Sequence, residues 1–304
     1  MTAVDTRSPI PVSVVVITRD NAAVLPACLA ALPHFAEVFV VDSHSTDGTP
    51  EVAAAWGARV VPFRWNGAYP KKKQWCLDHL PFAHDWVLFV DADERLTPEL
   101  VMEIAALMER GPACAGYFIT GRPVFFGTPL RFGAVNRKLA LLDRRRARFP
   151  DCRDLDLPGL SLPGLEGAGS GMVGTGEVEG HYQPALDGPA GRLRHHLWHG
   201  DALPPALWFG RHNRYSDWEA ALAAAGRTAA MRTGEPPGRR WLKRLFATLP
   251  LRPLVVFLHS YGLRLGCLDG RAGFDYALAR AFYYWQIGVK RRYLAAALPG
   301  PDSK

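Results

Sequence analysis

The chain reads as an α/β protein, a mostly parallel sheet with flanking helices, followed by a helical, amphipathic region toward its C-terminal end. Three observations predict this. Short apolar runs at residues 11–18, 37–42, 59–62 and 86–90 are β-branched or aromatic and lack helical period, as strands buried on both faces do. Segments with helical spacing lie between them, and such alternation implies parallel pairing through right-handed crossovers. From residue 227 onward, apolar helical stretches carry fourteen Lys and Arg against four Asp and Glu.

The first run ends on Thr18 and is followed by a helix over 22–32, with Val24, Cys28 and Leu32 at helical spacing. The second ends on Asp42 and a polar turn, Ser43-His-Ser-Thr-Asp-Gly48, which leads into a helix over 49–56 closed by Gly57. Lys71-Lys-Lys73 opens an amphipathic stretch; such a run is a solvated face or, beside phosphates, a charge offset. Trp86-Val-Leu-Phe-Val90 stops on Asp91-Ala-Asp93-Glu94. A helix is expected at 98–110, antiparallel strands at 116–120 and 124–126, and a strand with a basic turn at 137–148. Residues 150–176, rich in Gly, Pro, Leu and Asp without period, read as a mobile lid. Helical character is expected from Arg192 onward, with a helix at 204–225 and His195, His196 and His199 clustered before it. Further helices are expected at 241–249, 254–268 and 274–294.

Composition narrows the class. At 304 residues and 48% hydrophobic the chain suits a large core. The net charge of +7 is the sum of about −3 over residues 1–226 and +10 over residues 227–304, so we divide the chain into a catalytic unit, 1–226, and a basic amphipathic unit, 227–304. Five scattered cysteines without metal-type spacing and a first segment without an apolar core suggest a cytoplasmic protein. The longest uncharged tail run, 253–263, is too short to span a bilayer. Phe274, Leu278, Phe282, Trp285 and Val289 recur at helical spacing, so this face packs on the chain's own domain or lies on the inner face of a membrane; the basic, aromatic composition favours the membrane surface. Nucleic acid is disfavoured, because the basic region is strongly apolar and holds no recognisable module.

In a parallel sheet, ligands bind at the carboxyl ends of the strands, where Thr18, Asp42, Asp91 and Asp93 all fall. Asp91 and Asp93 project from one face if the strand continues, and two anions so close invite a divalent cation, Mg²⁺ or Mn²⁺, carrying a substrate's phosphates; the competing reading is a solvated turn capping the helix near Thr97. Neither a glycine-rich dinucleotide fingerprint nor a phosphate loop of the Walker type is present.

Val14-Val-Val-Ile-Thr18, Val40-Val-Asp-Ser-His-Ser-Thr-Asp47, Lys73-Gln-Trp75 and Asp91-Ala-Asp-Glu94 resemble the ordered motifs of family 2 glycosyltransferases with a GT-A fold, nearest to the lipopolysaccharide core enzymes. The resemblance covers residues 11–225, with an echo in Leu268-Asp-Gly-Arg-Ala-Gly-Phe274. It implies that Thr18 and Asp42 hold the base and ribose of a nucleotide sugar, a UDP-sugar first among them, and that Lys73 faces the diphosphate. It further implies that Asp91 and Asp93 hold the metal, Asp93 most directly, and that His199 matches a position able to approach it. Family members invert at the anomeric carbon, a protein carboxylate deprotonating the acceptor hydroxyl. The acceptor implied is a lipid-linked or cell-envelope glycan.

The chain departs from its relatives at the base. They carry Val-His-Glu where this sequence has Val178-Glu-Gly180 followed by His181. Glu179 is the nearer replacement, Gly180 permitting the unusual backbone a one-residue slip requires, and His181 is the competing base. The alternative of another class is a non-catalytic scaffold that binds nucleotide sugars at the membrane; the intact Asp91 and Asp93 speak against it. A phosphohydrolase would carry its Asp-x-Asp after the first strand.

Overall fold

The computed structural model describes residues 8–66, 68–151, 183–200, 204–226, 246, 249 and 251–297. One twisted sheet organises the chain. β1 (Ile10–Thr18) pairs in parallel with β2 (Phe35–Asp42) on one side and β4 (Trp86–Asp91) on the other, and β3 (Arg59–Pro62) extends the β2 edge. Beyond β4 come β8 (Asn136–Asp143), β6 (Gly116–Phe125), β11 (Ala190–His199) and β5 (Glu94–Leu96); β8 and β5 run against their neighbours, while β6 and β11 pair in parallel. β7 (Thr128–Pro129) pairs only with β6, and β9 (Ala147–Arg148) with β10 (Ala185–Leu186) forms a separate ribbon.

The apolar runs are continuous because both faces of the sheet are covered. Val14 and Val16 of β1 pack with Leu100 and Ile104 of α4 (Pro98–Arg110), whereas Val15 packs with Leu77 of α3 (Lys72–His79) and Trp218 of α5 (Pro205–Ala224). Val14, Val15 and Val16 are all fully buried, worth roughly 1.5–3 kcal/mol each. Two short helices, α1 (Leu25–Leu29) and α2 (Thr49–Ala55), lie on the α4 side. Helix α4 has the bounds its sequence predicts: Thr97 Oγ1 accepts the Leu100 N–H at 3.3 Å, Pro98 opens the first turn, and Gly111 at φ 80° ends it.

Three expectations are corrected. The first helix is only Leu25–Leu29, because Pro26 starts it late and the turns around it are held by separate bonds such as Leu25 N–H to Asn21 O at 2.9 Å. Residues 116–120 and 124–126 are not two antiparallel strands but one, β6; Pro123 interrupts no ladder toward β8, since that pairing ends at Gly121 and the pairing with β7 begins at Val124. The sequence is not helical from Arg192, since residues 190–199 form β11. Leu193 and Leu197 are four apart, a spacing that one face of a strand shares with one face of a helix, and at the bulge between Arg192 and His196 the Arg194 and His195 N–H groups turn to the Glu103 carboxylate of α4 at 2.8 and 2.9 Å.

The C-terminal helices are α6 (Arg252–Leu258), followed by a π-helical turn (His259–Leu263) and a 3₁₀ turn (Gly266–Asp269), and α7 (Gly270–Ala297). The stretch expected as one helix over 254–268 is therefore broken, with Leu265 in the left-handed region at φ 58°. Expected helix 241–249 lies almost wholly outside the described residues. Small side chains of α7, among them Ala277 and Ala281, are buried, and the Tyr283 hydroxyl donates to Glu219 of α5 at 2.8 Å. Asp269 accepts the N–H groups of Arg131 and Phe132 at 3.0 and 2.8 Å, tying these helices to the loop after β7.

Candidate active site

Register builds the site. Thr18 pairs with Asp42 across β1 and β2, and Ile17 with Asp91 across β1 and β4, so three strand ends meet on one rim. Thr18 Oγ1 donates to Asp42 Oδ1 at 2.9 Å, and Asp42 also accepts the Ser45 N–H at 2.8 Å and the Ser45 hydroxyl. Both Thr18 and Asp42 are buried, which leaves Asp42 little acceptor capacity beyond its own loop. The serines and aspartates of the second motif knit loops together: Ser45 Oγ accepts the Asp20 N–H at 2.7 Å and Asp47 Oδ2 the Ala22 N–H at 2.9 Å.

Asp91 and Asp93 stand in two different ionic settings. The β4–β8 register runs from Trp86 opposite Asp143 to Leu88 opposite Leu141, and its continuation sets Lys138 beside Asp91. Lys138 Nζ lies 3.3 Å from Asp91 Oδ2 and also bonds Glu94 Oε2; Glu94 in turn accepts the Asp91 N–H at 2.8 Å. Burial alone would lift the Asp91 carboxyl, but Lys138, Lys73 and His199 hold it well below the usual carboxylate range. Burial wins at Glu94, whose carboxyl is raised with help from the Asp91 charge and against Lys138. For Lys138 burial works to lower the ammonium pKa, and the two carboxylates outweigh it.

Asp93 faces α5 and the end of β11. Arg211 Nη1 donates to Asp93 Oδ2 at 3.0 Å, and His199 Nε2 stands 3.7 Å from Asp93 Oδ1. His199 is carried there by its pairing with Glu94 across β11 and β5, and the following Gly200 N–H donates to the Asp93 carbonyl at 3.1 Å. Burial disfavours the Arg211 charge, but Asp93 keeps its pKa raised; its Nε is buried without a partner among the described residues. Tyr215, one helical turn on, lies on the same face and is raised by burial.

Of the residues the sequence singles out, Thr18, Asp42, Asp91 and Asp93 gather on this rim, with Lys73 close enough to act on Asp91 and His199 against Asp93. Glu179, His181 and nearly all of the expected lid, 150–176, lie outside the described residues. Sequence reasoning missed Glu94, Lys138, Arg211 and Tyr215. Lys138 stands next to Arg137 just before the apolar run 139–142, which does not mark it out, whereas Arg211 and Tyr215 were visible as a pair four apart on one helix face.

No group of three His, Cys, Asp and Glu side chains able to hold a metal occurs among the described residues. The donor set still fits a hard divalent ion that shares its shell with phosphate oxygens and water, since such ions are held by one or two protein carboxylates. Asp93 Oδ1 faces the His199 imidazole, with Arg211 on the other oxygen.

A largely parallel sheet with these strand-end carboxylates, continued beyond β4 by antiparallel strands, is the α/β arrangement expected of a GT-A fold. Residues 13–156 match Glycosyl transferase family 2. The lipopolysaccharide core biosynthesis glycosyltransferase LpsC of Rhizobium meliloti is 31% identical over 148 residues, covering 46% of this chain and 53% of that protein. An uncharacterized glycosyltransferase of Rickettsia bellii is 39% identical over 94 residues, 31% of each chain. Among solved structures, glucosyl-3-phosphoglycerate synthase from Mycobacterium tuberculosis is 24% identical over 37% of this chain and 44% of its own, with a TM-score of 0.29, an overlap too low to argue from. Residues 13–156 are thus a family 2 glycosyltransferase domain. The match spans about half the length of the Rhizobium relative and about a third of the Rickettsia one.

Proposed function

We propose that the chain is an inverting, metal-dependent glycosyltransferase that moves a sugar from a nucleoside-diphosphate donor, a UDP-sugar first among candidates, to a hydroxyl of a lipid-linked or cell-envelope glycan. The observation that carries this reading is the meeting of Asp91 and Asp93 with Lys73, Lys138, His199 and Arg211 at the carboxyl edge of the sheet. Such a rim suits a diphosphate and its counter-ion.

Asp93, with Asp91 or His199 beside it, would hold the divalent ion, which when bound supplies charge neutralisation for the leaving diphosphate. Lys73 and Arg211 add positive charge at the same rim, while Lys138 keeps Asp91 ionised by pairing with it and Glu94. Thr18 and Asp42 bound the base and ribose end. The acceptor base is Glu179, with His181 as its rival. Gln183, two residues after His181 in sequence, accepts the Leu139 N–H at 2.6 Å, next to Lys138.

The name of the Rhizobium relative ties that protein to lipopolysaccharide core biosynthesis, and this supports an envelope acceptor here. No helix among the described residues is long and apolar enough to cross a membrane, and we place the reaction at the inner face of the membrane. In this reading residues 1–226 hold the chemistry and 227–304 serve the surface. The rival reading, a scaffold that binds nucleotide sugars without turnover, would use the same cations for the diphosphate, so turnover is what separates the two.

The test is a hydrolysis screen of nucleotide sugars with Mn²⁺ or Mg²⁺ and no acceptor. Slow release of nucleoside diphosphate from one donor class is expected. Tight donor binding with neither hydrolysis nor transfer to any envelope glycan would establish the scaffold instead.

A further inference from the structure

Helix α7 buries Ala277, Ala279, Ala281 and Ile287 and turns a row of large apolar residues outward. Phe274, Leu278, Phe282, Trp285, Val289 and Tyr293 follow one another at helical spacing and are all exposed, Leu278 at 50%, Trp285 at 51% and Tyr293 at 69%. The stripe is about 28 Å long at ~1.5 Å per residue. It is extended by α6 and the turns after it, where Leu258, Leu263 and Leu268 are more than half exposed, and the Phe257 and Tyr261 rings pack on Phe274 at 5.7 and 5.6 Å. Among the described residues nothing covers this surface, which far exceeds the scattered apolar exposure of an ordinary monomer.

Its charge says what it meets. Arg264, Arg271, Arg291 and Arg292 are exposed along the same two helices. The acids there are already engaged, Asp275 by Arg271 at 3.1 Å and Asp269 by the backbone of Arg131 and Phe132. An apolar stripe flanked by the exposed guanidinium groups of Arg264, Arg291 and Arg292, on a helix not apolar enough to span a bilayer, matches an interface with acyl chains below and anionic headgroups around it. Phe282 also walls a groove of about 250 Å³ between α5 and α7 with Trp208, Phe209 and Tyr283, on the helix whose Arg211 bonds Asp93.

We propose that the outward face of α6 and α7 is a docking surface that lies in the headgroup region of an anionic membrane, with the α5 side of the site turned toward lipid-borne molecules. This deepens the transfer reading, on which it rests for its purpose, by naming the surface where a lipid-linked acceptor is met.

The test is co-sedimentation of the full-length protein with vesicles of phosphatidylcholine, alone or mixed with phosphatidylglycerol. Binding to the mixed vesicles is expected, weakening as salt rises. The variants Leu278→Glu and Trp285→Glu, both outward and remote from the rim, should each bind about tenfold or more weakly, since each removes buried apolar area and adds repulsion. Their circular dichroism and vesicle-free donor hydrolysis should stay unchanged. Absence of binding at low salt overturns the proposal, as does equal binding by both variants. It is also overturned if light scattering shows a dimer that the same variants dissolve, for the stripe is then covered by a second copy. Vesicle binding without any donor hydrolysis keeps the docking surface and removes the transferase reading.

Discussion

Arg211 on α5 and Asp93 on the turn after β4 are joined by a 3.0 Å charge-assisted hydrogen bond across 118 residues of sequence. The bond ties the helix that bears the α5–α7 groove to one of the two carboxylates proposed to hold the metal. Arg211→Ala should therefore loosen both. We expect kcat/KM to fall by about 10- to 100-fold, or roughly 1.4–2.7 kcal/mol of lost stabilisation. Arg211→Lys should recover only part, because a point charge does not reproduce the planar guanidinium fork. Steady-state kinetics with varied donor checks this.

Lys138 carries two acids, Asp91 and Glu94, of which Glu94 is nearly inaccessible with 2% of its side chain exposed. Lys138→Met leaves them facing one another and should cost about 3–5 kcal/mol, the usual penalty for removing one partner of a buried pair. Adding Glu94→Gln should restore much of that stability, since it removes the repulsion without restoring the cation. Urea denaturation of the single and double variants measures both.

Neither residue was legible as a partner, and the reason is the same. Strands β1, β2 and β4 announce themselves by composition, and their parallel order lines up Thr18, Asp42 and Asp91 without knowledge of the register. Lys138 reaches Asp91 only because β8 runs antiparallel to β4 in one particular register, and nothing local to residues 136–143 specifies that. Strand β11 was hidden for another reason: its two buried leucines, Leu193 and Leu197, are four apart, a spacing that a strand face and a helix face share, and polar residues stand between them. In α7 the periodicity was correct and its interpretation open, because amphipathic spacing does not say whether large or small residues face the body; the structure buries the small ones.

Glu103 offers a pH test. Burial tends to raise its carboxyl, but bonds from the Arg194 and His195 N–H groups and the His195 ring outweigh this and hold it below the ordinary Glu value. A depressed native pKa means that the unfolded chain takes up the proton first as pH falls. The contribution is thus complete above the unfolded value near 4.3 and is lost as pH drops from there through the native value. Glu103→Gln should be about 1–2 kcal/mol less stable than the wild type at pH 7. That gap should close as pH falls below about 4, as followed by thermal melts across the range.

The base is tested by two substitutions in the segment between β9 and β10. Glu179→Gln should lower transfer by about 10²-fold or more while donor binding survives, the usual scale for loss of a general base. Loss in His181→Ala with near-normal Glu179→Gln would move the role to the histidine.

The most direct measurement is calorimetric titration of UDP into the protein with Mn²⁺ or with EDTA, for wild type and Asp93→Ala. A metal–diphosphate site at the strand ends predicts that Mn²⁺ tightens UDP binding by about tenfold or more in the wild type, and that Asp93→Ala loses this enhancement while keeping its circular dichroism. Equal affinity in Mn²⁺ and EDTA, or full enhancement in Asp93→Ala, would contradict it.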